Sequence, residues 1–202
     1  MMTKTRGRPR EYEEQEALAG AVAVFSRKGF SGTSLDELAA AMNMNRPSIY
    51  HAFGDKQAVY RRALGFFVTH LRRAMTKLVL QDDDLPRALT NGYLAALDVY
   101  FADDPPRGCF LFCTAPTEAI TYQAIHDDMV EVMNEIDAIY AERFRAAQAA
   151  CQFPASADVK SAARMAQGIL HTLAIRARAG ESKAALKRLV KFSVASLCAN
   201  PG

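Results

Sequence analysis

The sequence has too few cysteines, too widely scattered, to be held by disulfides: four in 202 residues, at 109, 113, 151 and 198. Such irregular spacing points to a reducing, cytoplasmic compartment rather than a secreted scaffold. No run of eighteen apolar residues occurs, so no transmembrane helix and no membrane partner are expected. The opening Met1-Met2-Thr3-Lys4-Thr5 has no apolar stretch behind it, unlike a secretory signal. Gly-x-Ser-x-Gly, the dinucleotide glycine fingerprint and the P-loop are all missing. The histidines, at 51, 70, 126 and 171, have no neighbours at metal-ligand spacing, so neither a metal site nor a cofactor nor catalysis is expected. His126-Asp127-Asp128 reads as favourable charge at a helix start rather than as a general base.

What is present suits a globular chain. Half of the residues are hydrophobic and 23% are charged, which excludes a disordered protein. The formal net charge of +3 conceals a segregation. Residues 1–62 hold ten Lys and Arg against seven Asp and Glu, whereas residues 81–142 hold thirteen acids and two bases. Residues 143–202 return to ten bases and two acids, so different stretches should meet different partners.

Helical periodicity runs through almost every segment and none alternates like a strand, which predicts an all-α protein of about nine helices. The first covers 11–28, with Leu18, Ala21, Val22 and Phe25 on one face and Gly29 as its stop. Ser34 and Glu37 form the capping box of a short helix that runs to about Met42. Asn45 caps a third, Arg46 to Ala52, with Pro47 in its first turn, where the missing N–H costs nothing. Asp55 caps a long helix with the stripe Tyr60, Ala63, Leu64, Phe67, Leu71, Ala74, Met75 and Leu78. Further helices are predicted at 85–102, 108–123, 125–151, 157–179 and 182–198, and Pro116 should kink or split the second of these.

Two short helices separated by only Asn43-Met44-Asn45 make a helix-turn-helix. In that device the second helix enters the DNA major groove while the first props against the backbone. Ile49 and Phe53, with Leu38 and Met42, should face inward. Arg46 can grip a guanine with two hydrogen bonds, and Ser48, Tyr50 and His51 can donate to phosphates or bases. Lys56 stands at the start of the long helix, where free N–H groups attract phosphate. Residues 1–10 form a flexible basic arm whose Arg6 and Arg8 suit a narrow minor groove.

The stretch Ala23-Val24-Phe25, Gly29-Phe30, Gly32-Thr33-Ser34-Leu35, Glu37-Leu38-Ala39, Arg46 to Phe53 and Lys56 resembles the N-terminal domain of TetR-family transcriptional regulators. That resemblance covers about residues 11–62. It implies a DNA-binding domain over 11–54 and a helical effector-binding and dimerisation domain over 55–202. The partners it implies are double-stranded operator DNA, a small-molecule effector and a second copy of the chain. It also implies phosphate contacts from Thr33 and Ser34, base contacts from Arg46 and Ser48, and backbone contacts from Tyr50 and Lys56. Position 51 varies in the family, which weakens the claim on His51.

The middle of the chain is rich in aromatic, Met and Cys residues, mostly core. Phe67, Tyr93, Phe101, Cys109, Phe110, Cys113 and Met133 are candidates to line an apolar effector cavity. Cys109 and Cys113, four apart, would share a helix face, which leaves open a redox- or electrophile-sensing regulator acting through Cys109. A helical adaptor that binds protein rather than DNA is the other alternative. Dimerisation is assigned to the last two helices, through the stripes Ala162, Ala166, Ile169, Leu170, Leu173 and Leu186, Leu189, Val190, Val194, Leu197.

Overall fold

A computed structural model of the chain describes residues 10–199. Over these residues it forms nine α-helices and one π-helical turn, with no strand. The chain gathers into two compact units that divide between Phe67 and Val68.

The first unit contains α1 (Arg10–Lys28), α2 (Leu35–Ala41), α3 (Arg46–Phe53) and the first half of α4 (Lys56–Met75). Its centre is a knot of three rings: Phe25 and Phe30 each meet Tyr60 edge-on, at centroid distances of 5.1 and 5.5 Å. Such edge-to-face contacts add to burial through the ring quadrupoles. The inward face of α1 departs from the expected one at a single position. Val24 is buried and Val22 is half-exposed, because Ala17, Leu18, Ala21, Val24 and Phe25 keep the three-and-four spacing while Val22 lies about 100° around from Ala21. α1 and α2 cross very closely at Gly20, where a β-carbon would stand 1.9 Å from the carbonyl oxygen of Ala41.

The second unit contains the rest of α4, a π-helical turn at Thr76–Leu80, α5 (Leu85–Tyr100), α6 (Phe110–Ala119), α7 (Gln123–Ala149), α8 (Val159–Arg178) and α9 (Lys183–Cys198). α7 packs on α6 and α8, while α5 packs on α8 and α9. Tyr93 and Tyr140 are buried between them, and the Tyr93 hydroxyl donates to the Ala166 carbonyl at 3.0 Å. Beyond Met75 the inward position is Val79, four residues on, rather than Leu78, three residues on, which is half-buried; Ala74 faces solvent. α6 runs through Pro116 without splitting there and ends at Ala119, shorter than the expected 108–123.

The stripes expected to join two copies of the chain behave differently. Ala162, Ala166, Leu170 and Leu173 of α8 are buried inside the unit, as are Leu186, Val190, Val194 and Leu197 of α9. The outward apolar residues of these helices are instead Met165, Ile175 and Phe192, which are 62%, 57% and 71% exposed. These stripes thus serve each helix's own packing within the unit, which asks for the same period as an interface.

Candidate nucleic-acid interface

The turn between α2 and α3 sets the direction of α3. Asn43 adopts φ of 52°, a left-handed conformation that asparagine tolerates better than most residues. The Met44 amide then donates to the Ala39 carbonyl at 2.9 Å and closes the end of α2. Asn45 caps α3 by accepting from the Ser48 amide at 2.9 Å, and Pro47 occupies its first turn. Ile49 and Phe53 lock the inner face against Leu38 and Met42, all four buried. α3 is 8 residues long, or about 12 Å at about 1.5 Å per residue, which matches a groove about 12 Å wide.

The outer face of α3 presents Arg46, Pro47, Tyr50 and His51 to solvent, with Ser48 half-buried beside them. Arg46 is not a loose cation. Its Nε donates to Oδ1 of Asp36 at 2.7 Å and its Nη2 to Oδ2, a two-point grip across the turn. This hydrogen bonding holds the Asp36 carboxyl below its ordinary range and raises the Arg46 guanidinium further. Asp36 was not singled out from the sequence. Its position in the first turn of α2, ten residues before Arg46, was the available signal.

The start of α2 is similarly engaged. Ser34 Oγ accepts from the Glu37 amide at 3.3 Å, and Glu37 Oε2 accepts from the Ser34 amide at 2.9 Å. Lys28 from α1 pairs with the other oxygen of Glu37. The Lys28 ammonium, with the Ser34 amide and hydroxyl, pulls the Glu37 carboxyl down to about 2. Ser34 remains exposed. Thr33 does not: it is buried, and its hydroxyl donates to the Gly29 carbonyl at 2.6 Å. Lys56 is half-buried, its ammonium 4.5 Å from the centre of the Phe30 ring.

At the C-terminal turn of α3, an open cleft of about 710 Å³ lies among Glu14 and Glu16 of α1, the residues Ala41–Met44 and the stretch His51–Phe53. Two carboxylates on its wall disfavour phosphate there. Arg6 and Arg8 lie outside the described residues.

The effector candidates are distributed unevenly. Tyr93, Cys109 and Phe110 are buried in the second unit, and Phe101, Cys113 and Met133 are half-buried there, whereas Phe67 belongs to the first unit. Cys109 precedes α6, where helix N–H groups of Leu111 and Phe112 would favour a thiolate. Burial outweighs them and pushes the thiol up to about 12. A thiol so raised is a poor nucleophile, and the redox alternative gains no support from it. Gln167 escaped the sequence reading: buried, it donates to the Met133 carbonyl at 2.7 Å. His171 lies 3.9 Å from the Phe112 ring centre, and burial lowers its pKa while the charge of Asp137 acts to raise it.

Two family profiles match the chain: bacterial regulatory proteins of the tetR family over residues 17–63, and a tetracyclin repressor-like C-terminal domain over residues 84–192. The chain is similar to the HTH-type transcriptional repressor ComR of Escherichia coli (strain K12), with 25% identity covering 96% of this chain and 91% of ComR. It is also similar to the HTH-type transcriptional repressor BdcR of the same strain, 28% identical over 55% of this chain and 58% of BdcR. Among solved structures it resembles a cysteine mutant of the TetR family transcriptional regulator CifR complexed with 26-bp double-strand operator DNA. That likeness has a TM-score of 0.82 and 25% identity, covering 94% of this chain and 99% of the other.

Proposed function

The chain belongs to the TetR family of bacterial regulatory proteins and is a DNA-binding transcriptional regulator, and on that premise we propose that it is a cytoplasmic, homodimeric repressor released from a palindromic operator by a small molecule. The observation that carries this reading is the outer face of α3, where Arg46, Ser48, Tyr50 and His51 project while Ile49 and Phe53 fix the helix from behind. Arg46 and Ser48 read base edges in this account, and Ser34, Tyr50 and Lys56 hold phosphates, with Arg6 and Arg8 in the adjoining minor groove. Repression is inferred from ComR and BdcR, both transcriptional repressors. Residues 11–54 then serve DNA and residues 55–202 serve the effector and the second copy.

A single helix of this length reads too few base pairs for specificity, so two copies about one DNA turn apart are required. The exposed Met165 and Ile175 on α8 and Phe192 on α9 supply an apolar face for that pairing. The effector is taken to be small and mainly apolar, bound among Phe101, Cys113, Met133 and their buried neighbours. α4 continues from the first unit into the second, so a ligand that alters its path alters the reading heads. Such coupling is typically worth about 5–150-fold in DNA affinity.

The test is anisotropy of a labelled duplex selected from a random pool by the wild-type protein. Arg46→Ala should weaken the selected duplex by about 5–150-fold and relax the preference at one position. Lys56→Ala should weaken all duplexes alike and lower the salt slope by about one. Wild-type binding by both variants overturns the assignment.

A further inference from the structure

Resting on the reading of Arg46 as a base contact, we propose that Asp36 is the positioning residue for it: the α2 carboxylate holds the guanidinium so that its outer edge is presented to guanine. The guanidinium is a rigid plane with two donor edges, one formed by Nε with Nη2 and the other by Nη1 with Nη2. Asp36 takes the first, with Nε to Oδ1 at 2.7 Å and Nη2 to Oδ2. The second edge keeps one N–H on each terminal nitrogen, side by side and parallel. Guanine offers O6 and N7 at matching spacing in the major groove. The carboxylate thus leaves the base-reading edge free while occupying the one that would otherwise turn toward phosphate.

Three features make this a device of position rather than of stability. Both side chains are exposed, 53% for Arg46 and 74% for Asp36, and an ion pair so open to water adds little to folding. The two residues come from different helices of the motif, so the pair registers the first turn of α3 on the first turn of α2. The grip is two-pointed, Nε to Oδ1 and Nη2 to Oδ2, so it fixes the plane of the guanidinium as well as its place. A carboxylate on a phosphate-facing surface would by itself oppose DNA. Paired with Arg46, it converts a general cation into a directional one.

The experiment compares Asp36→Asn, Arg46→Ala and the double variant on three probes. These are the duplex selected by the wild type, that duplex with each guanine in turn replaced by 7-deazaguanine, and a scrambled duplex. Thermal unfolding of each variant is recorded to confirm folding. Asp36→Asn is expected to lower the ratio of selected to scrambled affinity by about tenfold, within the range one base contact supplies. The penalty for removing N7 should shrink toward unity at one guanine. Binding to the scrambled duplex should hold or tighten, with a steeper salt dependence by about one counterion, as Arg46 moves to a phosphate. In the Arg46→Ala background the same change should leave the ratio where it is. An Asp36→Asn protein that keeps both the ratio and the N7 penalty, while Arg46→Ala loses them, overturns the positioning role and spares the DNA reading. A ratio lowered equally in both backgrounds places Asp36's action on the DNA directly and also overturns it. An unaffected Arg46→Ala protein removes both readings together.

Discussion

Gly20 of α1 faces the carbonyl of Ala41 at the end of α2, with no room for a β-carbon between them. The crossing of these helices, and hence the direction in which α3 leaves the turn, depends on that missing methyl. Gly20→Ala forces the backbones apart and should destabilise the first unit by about 1–3 kcal/mol or more, weakening DNA binding as well. Gly65 is the control, because a β-carbon there meets nothing within 4 Å. Gly65→Ala should stabilise α4 by up to about 1 kcal/mol. Denaturant unfolding of both variants checks the pair, and equal effects would refute the close crossing.

The capping box at Ser34 and Glu37 should make the first unit acid-sensitive. Glu37 titrates at 4.5 in an ordinary setting and at about 2 here. Its folded form therefore releases the proton more readily, and the stability it lends is complete above about 4.5 and disappears as pH falls toward 2. Carboxyl NMR titration should place Glu37 well below the other glutamates, and Lys28→Ala should move it back upward. In Glu37→Gln the unfolding midpoint should lose part of its dependence on pH between 5 and 2.

Cysteine labelling separates the thiols by position. With its thiol at about 12, Cys109 holds a thiolate fraction of about one in ten thousand at pH 8, and it is buried as well. Cys151 is exposed and should react first with iodoacetamide, while Cys109 should label only on unfolding. Mass mapping of the native protein reads the outcome; rapid labelling at Cys109 would restore the thiol-sensing alternative.

The outward face of α8 and α9 gives the dimer its test. Ile175→Glu and Phe192→Glu change exposed side chains, so each protomer should fold as before. Sedimentation should show monomers, and affinity for the selected duplex should fall by about 100-fold or more as the second reading head is lost. Dimers that persist in both variants would place the interface elsewhere.

Much of this was legible in one sequence because local chemistry dictates it. The Ser34–Glu37 box, the Asn45 cap, Pro47 in the first turn of α3 and the inward set Leu38, Met42, Ile49 and Phe53 all act within a few residues of themselves. What the sequence concealed depends on pairs far apart or on which of two equivalent helical steps turns inward. Asp36 is an unremarkable first-turn acid until α3 folds back beside it. Val79 is buried rather than Leu78 because the inward step from Met75 is four residues and not three, and a 3.6-residue period allows both. Thr33 looks like a donor in the sequence, yet its hydroxyl is consumed by Gly29. The stripes of α8 and α9 could not show which partner they serve, for an internal helix and a second subunit ask for the same periodicity.

The amide of Gln152 reaches back across the second unit to the beginning of α5. Its Nε2 donates to the Asp83 carbonyl at 2.8 Å and its Oε1 accepts from the Leu85 amide at 2.9 Å. The Leu85 N–H is one of the opening donors that a helix cannot satisfy for itself and that normally exchange quickly with solvent. Here a side chain 67 residues away answers it, next to a leucine that is itself buried. The first amide of α5 should consequently exchange on the time scale of releasing the Gln152 segment, which follows α7, rather than of end-fraying. A deuterium clock started at Leu85 would report when that segment lets go.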